Sequence, residues 1–232
     1  MAVSSPVFHR LTIAALLLLT FATGLADSVS VLALGHVFVA NMTGNVIFLG
    51  FWFVQSAVDM TAAVVAFGSF VAGTIVGGRL TRGLSHRPRR WLTITLGIEV
   101  AVLLTLSILG GTGVLHYHDN TKLFLIGGLA MTFGLQNATA RQFGIQELST
   151  TVLTSTIVAL GFESRLAGGT GENELLRYGV VATMCAGAVL GATLTRVAVA
   201  PVFALAALVI AASLVIFRFG AGDSESPEAF TS

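Results

Sequence analysis

Charge is what this sequence has least of. Only 10% of its 232 residues are charged, against about 25% in an ordinary soluble domain. With 55% hydrophobic residues and a mean hydropathy of +0.90, polar side chains are too few to cover a soluble surface. A soluble globular protein is thereby excluded. An all-α, polytopic transmembrane helical bundle is expected, with the lipid bilayer as its surroundings. The net charge of +1 averages over loops on opposite sides of a membrane, so it gives no reason to expect a nucleic-acid partner. Cysteine is nearly absent. The single Cys185 cannot form an intramolecular disulfide and reads as a small packing residue. Missing too are a phosphate-binding loop, a zinc-binding helix motif, a nucleophile elbow and a pair of intramembrane catalytic groups. No enzyme, no cofactor and no metal site is therefore expected. His116-x-His118-Asp119 lacks further ligands and reads as a solvated loop.

What the chain does have is long apolar runs. A head of residues 1–10 precedes a single membrane domain, 11–218, and a polar tail, 219–232, that reads as disordered. The core Leu11–Phe21 and the small residues Gly24-Leu25-Ala26 resemble a signal peptide, but the apolar run continues to Leu34, which argues for an uncut span. Five further spans follow, over 60–78, 91–109, 122–140, 175–194 and 197–217. Two segments, Gly35–Val54 and Gln142–Gly161, are ambiguous. If neither crosses, there are six spans. Arg10, the five arginines of Arg79–Arg90, Arg141, Arg165, Arg177 and Arg218 then share the side of both termini, with only Lys122 and Arg196 opposite. Such a bias marks the cytoplasmic side. If both cross, there are eight spans and the arginines divide more evenly. The expected location is a bacterial inner membrane, with both termini cytoplasmic.

The two halves look related. Gly24-Leu25-Ala26-Asp27 aligns with Gly134-Leu135-Gln136-Asn137, and Thr43-Gly44-Asn45 with Thr154-Ser155-Thr156. Gly73 and Gly77 align with Gly187 and Gly191, and Leu80-Thr81-Arg82 with Leu194-Thr195-Arg196. Repeat one would cover 11–112 and repeat two 122–218. With three spans each, the second is inverted relative to the first, an arrangement recurrent in secondary transporters. Glycines four apart, Gly73/Gly77 and Gly187/Gly191, read as helix-packing positions, as does the stripe Gly127, Ala130 and Gly134.

Polar residues at membrane depth are costly and invite explanation. The hexapeptide Ala40-Asn41-Met42-Thr43-Gly44-Asn45 sets Asn41, Thr43 and Asn45 inside an apolar run, with Gly44 permitting a break. Its counterpart holds Thr151, Thr154 and Thr156. Thr20, Thr23 and Asp27 share one helix face by their spacing of three and seven. Asp27 reads as an ion or substrate contact, or as a carboxylate anchoring backbone amides at a helix break. Glu99, with Thr95 one turn before it, lies mid-span and reads as proton-linked or as paired with a neighbouring span. Gln136 and Asn137, the latter standing where Asp27 does in the first half, complete the candidate substrate or ion site.

Phe38-Val39-Ala40-Asn41-Met42-Thr43-Gly44-Asn45, with Gly24-x-x-Asp27 upstream and Gln136-Asn137-Ala138 downstream, resembles the YoaK-like family of bacterial inner-membrane proteins, a domain of unknown function. The resemblance covers about residues 10–218. Where that family commonly has Thr-x-x-Thr-Gly-Thr, this chain has Thr151-Val152-Leu153-Thr154-Ser155-Thr156, with serine in place of the glycine. Gly77-Gly78-Arg79-Leu80-Thr81-Arg82 followed by Arg87-Pro88-Arg89-Arg90 is similar, more loosely, to a cytoplasmic loop of major facilitator transporters, although Thr81 replaces the usual aspartate. One six-span chain equals half of such a transporter, which implies a homodimer. The resulting expectation is a small-solute transporter working by alternating access on a small-molecule substrate. Asn41, Thr43 and Asn45 would face Thr154 and Thr156. The alternative is a non-transporting scaffold, sensor or assembly factor.

Overall fold

A computed structural model describes residues 6–54, 58–84, 87–114, 117, 120–141, 153–171 and 173–220. Thr151, His116, His118, Asp119 and most of the expected tail lie outside the described residues. Among the described residues the chain forms eight α-helices and no strand. They are α1 (Pro6–Ala33), α2 (Met42–Leu49), α3 (Met60–Gly83), α4 (Pro88–Gly111), α5 (Lys122–Ala140), α6 (Leu153–Phe162), α7 (Glu174–Thr195) and α8 (Ala200–Gly220). α1 starts inside the stretch expected to be a separate head, and α8 runs two residues past the expected Arg218.

Six of the helices carry apolar stretches of 19 to 24 residues, long enough to cross a bilayer. At 1.5 Å per residue such stretches span about 28–36 Å, which matches a hydrocarbon core of about 30 Å. α2 and α6, with 8 and 10 residues, reach only about 12 and 15 Å and cannot cross. The helix ends follow from local chemistry. The Asp59 carboxylate accepts the Ala62 N–H at 3.1 Å and starts α3. Pro88 opens α4, where the absent N–H costs nothing. After α1, Gly35 at φ 118° and His36 at φ 60° turn the chain back on itself.

Directions follow from who touches whom. A Cβ on Gly24 would strike the Met184 carbonyl and one on Gly191 the Leu25 carbonyl, so α1 and α7 run parallel at backbone contact. Likewise Gly73 lies on the Met131 carbonyl, Gly134 on that of Phe70 and Gly77 on Leu135 and Ala138, so α3 and α5 run parallel. Only glycine permits these approaches, because apolar helices in lipid associate through close packing rather than hydrophobic expulsion. Four residues join α7 to α8, which makes that pair antiparallel. α8 is antiparallel to α4: Ser107 bonds the Ala200 carbonyl at 2.7 Å at one end, and Leu92 and Thr93 line a small cavity with Leu214, Phe217 and Arg218 at the other. α4 and α5 form an antiparallel hairpin in which Leu106 packs on Gly128. Chained together, these relations set α1, α4 and α7 in one direction and α3, α5 and α8 in the other. That is the pattern of six crossings. In an eight-span chain α1 and α4 would oppose one another.

Segment 35–59 therefore leaves and returns on one side. Its two ends are tied directly, the Asp59 N–H donating to the Gly35 carbonyl at 3.1 Å. The core is built around α1 and α5, whose buried residues lie on nearly all their faces. Asp59 also bonds Lys122 at 2.7 Å, joining the starts of α3 and α5. Burial opposes the charge on this carboxyl, but the Lys122 ammonium and the Ala62 N–H outweigh it and hold it below the ordinary aspartate range.

Candidate functional site

The hexapeptide begins with Asp27, 5% exposed and six residues before the end of α1. One of its oxygens, Oδ1, accepts the N–H groups of Val39 at 2.8 Å and Ala40 at 2.9 Å. The other, Oδ2, accepts from the Asn41 side-chain amide. Since Asp27 sits about 9 Å below the end of α1, residues 39–41 have re-entered the bundle to that depth. Asn45, fully buried, closes the loop. Its Oδ1 accepts the Phe38 N–H at 2.9 Å and its Nδ2 donates to the Phe38 carbonyl at 2.6 Å. The unpaired backbone of a non-helical stretch is thus satisfied by two side chains, Asp27 and Asn45, with Asn41 bracing the first, as a membrane interior demands. Thr43 is exposed, and Phe38 covers Gly44, its ring stacked on Phe48 with centroids 6.1 Å apart.

α6 occupies the other end of the bundle. It sits beside the start of α7, while α2 sits beside the end of the parallel α1. The two polar segments therefore do not face each other, and Asn41, Thr43 and Asn45 are not opposite Thr154 and Thr156. Thr154 is exposed and Thr156 is buried. Arg177 of α7, 5% exposed, pairs with Glu163 at 2.6 Å and reaches the Ala159 carbonyl at 3.5 Å, anchoring the end of α6.

A second group of polar residues lies at the centre. Glu99 is the middle of α4, is 0% exposed, and neither oxygen has a hydrogen-bond partner. Thr95, one turn earlier on the same face and also 0% exposed, has an unpartnered hydroxyl. Seven residues along from the Leu106–Gly128 contact, antiparallel α4 and α5 reach Glu99 and Leu135, beside Gln136. Gln136 Oε1 lies 3.4 Å from the Thr23 hydroxyl of α1, which is also 3.0 Å from the Leu19 carbonyl, and its Nε2 has no partner. Thr20 returns its hydroxyl to the Leu16 carbonyl, and the Asn137 amide donates to Phe133 O. α1, α4 and α5 thus place Thr23, Gln136 and Glu99 at nearly one depth, with Thr95 one turn, about 6 Å, away along α4.

The model of a family described as a protein of unknown function, DUF1275, matches residues 15–216. The chain belongs to this family. It is also 31% identical over 157 residues to the UPF0700 transmembrane protein YoaK of Bacillus subtilis (strain 168), a match covering 66% of each chain, just under two thirds of that relative's length. No solved structure matches. With six apolar spans, this member of the DUF1275 family is a multi-pass membrane protein whose family description names no activity.

Two arrangements had no signature in the sequence of this family member. The Lys122–Asp59 and Arg177–Glu163 pairs join residues 63 and 14 positions apart, from spans and loops that no local pattern connects. The Gln136–Thr23 contact spans 113 positions. The repeat alignment equates Gln136 with Ala26, so it offers no hint of a partner in Thr23.

Proposed function

We infer that this protein is a small-solute permease of the bacterial inner membrane, working by alternating access. One observation carries the reading. A layer of polar side chains crosses the middle of the bundle, and it contains a fully buried carboxyl with no partner. Ionisable groups at that depth are rare because they are costly, and they mark pathways more often than packing. The parts that would move are suggested by the glycine contacts. α1 with α7 and α3 with α5 are each locked backbone to backbone, while α1 and α5 meet across a polar contact. Internal repetition supports the same reading. The alignment equates Gly24 with Gly134 and Gly73 with Gly187, and these are the residues at the two close crossings. The opposed directions of α1 and α5 fit an inverted repeat, and α2 and α6 would be its paired re-entrant elements.

The arginine distribution supports cytoplasmic termini, and the half-transporter likeness supports a homodimer. A non-catalytic role is the reading for Glu99, since no nucleophile or base is bonded to it. A scaffold role is the second reading. It is favoured by Asp27 and Asn45, whose bonds go to the protein's own backbone and to Asn41. Uptake by vesicles containing the purified protein separates the two. A panel of small solutes, with and without a pH gradient, is expected to give flux that Glu99→Gln abolishes and Thr43→Ala leaves unchanged. Absence of flux for every solute favours the scaffold.

A further inference from the structure

The interior of the bundle is lopsided in charge. The lysines and arginines sit near helix ends or in connections, and two that are at least partly buried, Lys122 and Arg177, are already paired with Asp59 and Glu163. Against this, Asp27 and Glu99 lie within the spans. Asp27 accepts from Val39, Ala40 and Asn41. Glu99 has no donor, although both of its oxygens are shielded from solvent. A carboxylate so placed lacks a counter-charge, and a carboxylic acid there lacks an acceptor for its proton, so neither form is satisfied by the protein alone.

We propose that Glu99, with Thr95 and Gln136, forms a site for a small monovalent cation, and that the cation and a proton compete for the Glu99 carboxyl. The inference rests on the permease reading only in calling the site a transport site. Three features point to a cation. The free groups on α4 are oxygens, the ligands that alkali and alkylammonium ions take. Gln136 can supply a third. Rotating its amide by half a turn lets Nε2 donate to the Thr23 hydroxyl, which then donates to the Leu19 carbonyl at 3.0 Å, and Oε1 is released. A single positive charge balances the one carboxylate, whereas a divalent ion would leave an uncompensated charge in a medium of low polarity. Anions find no base at this depth.

The competition with protons is uncomplicated by neighbours. The elements packed most closely against α4 are α5, α8 and α3, with charged groups Lys122, Arg218, Arg79 and Arg82, and α1, which meets Gln136 through Thr23, adds Arg10 and, one turn beyond Thr23, Asp27. α4 itself adds Arg89 and Arg90 in its first turn. None of these is at the level of Glu99. Binding of one cation therefore displaces one proton, and apparent affinity weakens about tenfold for each unit fall in pH wherever the free carboxyl holds its proton.

The test is thermal unfolding of the full chain in detergent, with N-methylglucamine chloride holding ionic strength constant. Sodium, potassium and ethylammonium chlorides form the cation arm. N-methylglucamine acetate and phosphate form the anion arm. At least one cation is expected to raise Tm, with the concentration needed rising about tenfold per pH unit on acidification. Glu99→Gln removes the response, and Glu99→Asp and Thr95→Val keep it at higher concentrations, which separates loss of the site from loss of the fold. The proposal is overturned if no cation stabilises the protein, if the response persists in Glu99→Gln, if it is independent of pH, or if the anions act through Glu99. Cation binding without flux would retire the permease reading and leave the site standing. Flux that Glu99→Gln leaves unchanged, together with no cation response in Tm, would do the reverse.

Discussion

Replacing Gly134 with alanine is expected to destabilise the protein severely, while the same change at Gly97 or Gly68 is tolerated. At Gly134 the new methyl group would lie on the Phe70 carbonyl, with the Thr74 nitrogen at 3.1 Å. These are backbone atoms of a parallel helix, so they cannot swing aside as a side-chain tip would. Relief requires α3 and α5 to separate, which loosens Gly73 on Met131 and Gly77 on Leu135 together. Overpacking a core usually costs about 1–3 kcal/mol, and a rigid neighbour places this substitution at or above the top of that range. Gly97 and Gly68 have nothing within 4 Å of the added carbon. There alanine removes the helix penalty of glycine, roughly 0.5–1 kcal/mol. Gly187→Ala, against the Phe21 carbonyl, is expected to match Gly134→Ala. Thermal unfolding of the four variants in detergent checks the ordering. Equal losses at all four positions would mean that the close crossings do not hold the bundle.

The second large effect is expected at Asp27. Alanine there leaves the N–H groups of Val39 and Ala40 and the Asn41 amide without an acceptor. Each orphaned group costs about 1–3 kcal/mol, so the re-entrant loop should detach. Asparagine is milder, since one oxygen can still serve the two backbone groups. Its new NH2 then confronts the NH2 of Asn41, donor against donor. Asn41→Asp alone confronts carboxyl with carboxyl. Combining Asp27→Asn with Asn41→Asp restores one amide facing one carboxyl. The double variant is therefore expected to be more stable than either single, with a coupling of about 0.5–3 kcal/mol. Tm and protease resistance of the four proteins measure it. Additive losses would show that the pair does not act as a unit.

How much of this could be read beforehand differs from residue to residue. The spans were legible because a bilayer needs about 20 apolar residues, and that demand is written along the chain. The failure of 35–54 to cross was legible as arginine placement, because charge translocation leaves a one-dimensional record. Gly73 and Gly187 were legible as packing positions from their spacing. The use of each polar residue was not. Asp27 read equally well as an ion contact and as a backbone anchor, and only the fold of 38–41 beside α1 shows its bonds to Val39 and Ala40. Glu99 could be placed at mid-span from its position. That both its oxygens lack a partner depends on α5 and α8, which are distant in sequence.

The alternating directions of the six spans, with 35–59 returning to its own side, are tested most directly by one-sided labelling. Single cysteines at Phe53, Thr112, Val197, Arg82 and Leu166, all exposed, would be introduced in a Cys185→Ser background. They would then be reacted with a membrane-impermeant thiol reagent on intact and opened cells. The account predicts that Phe53, Thr112 and Val197 label from one side, and Arg82 and Leu166 from the other. Arg82 and Leu166 on opposite sides, or Thr112 and Val197 divided, would mean eight crossings and would contradict it.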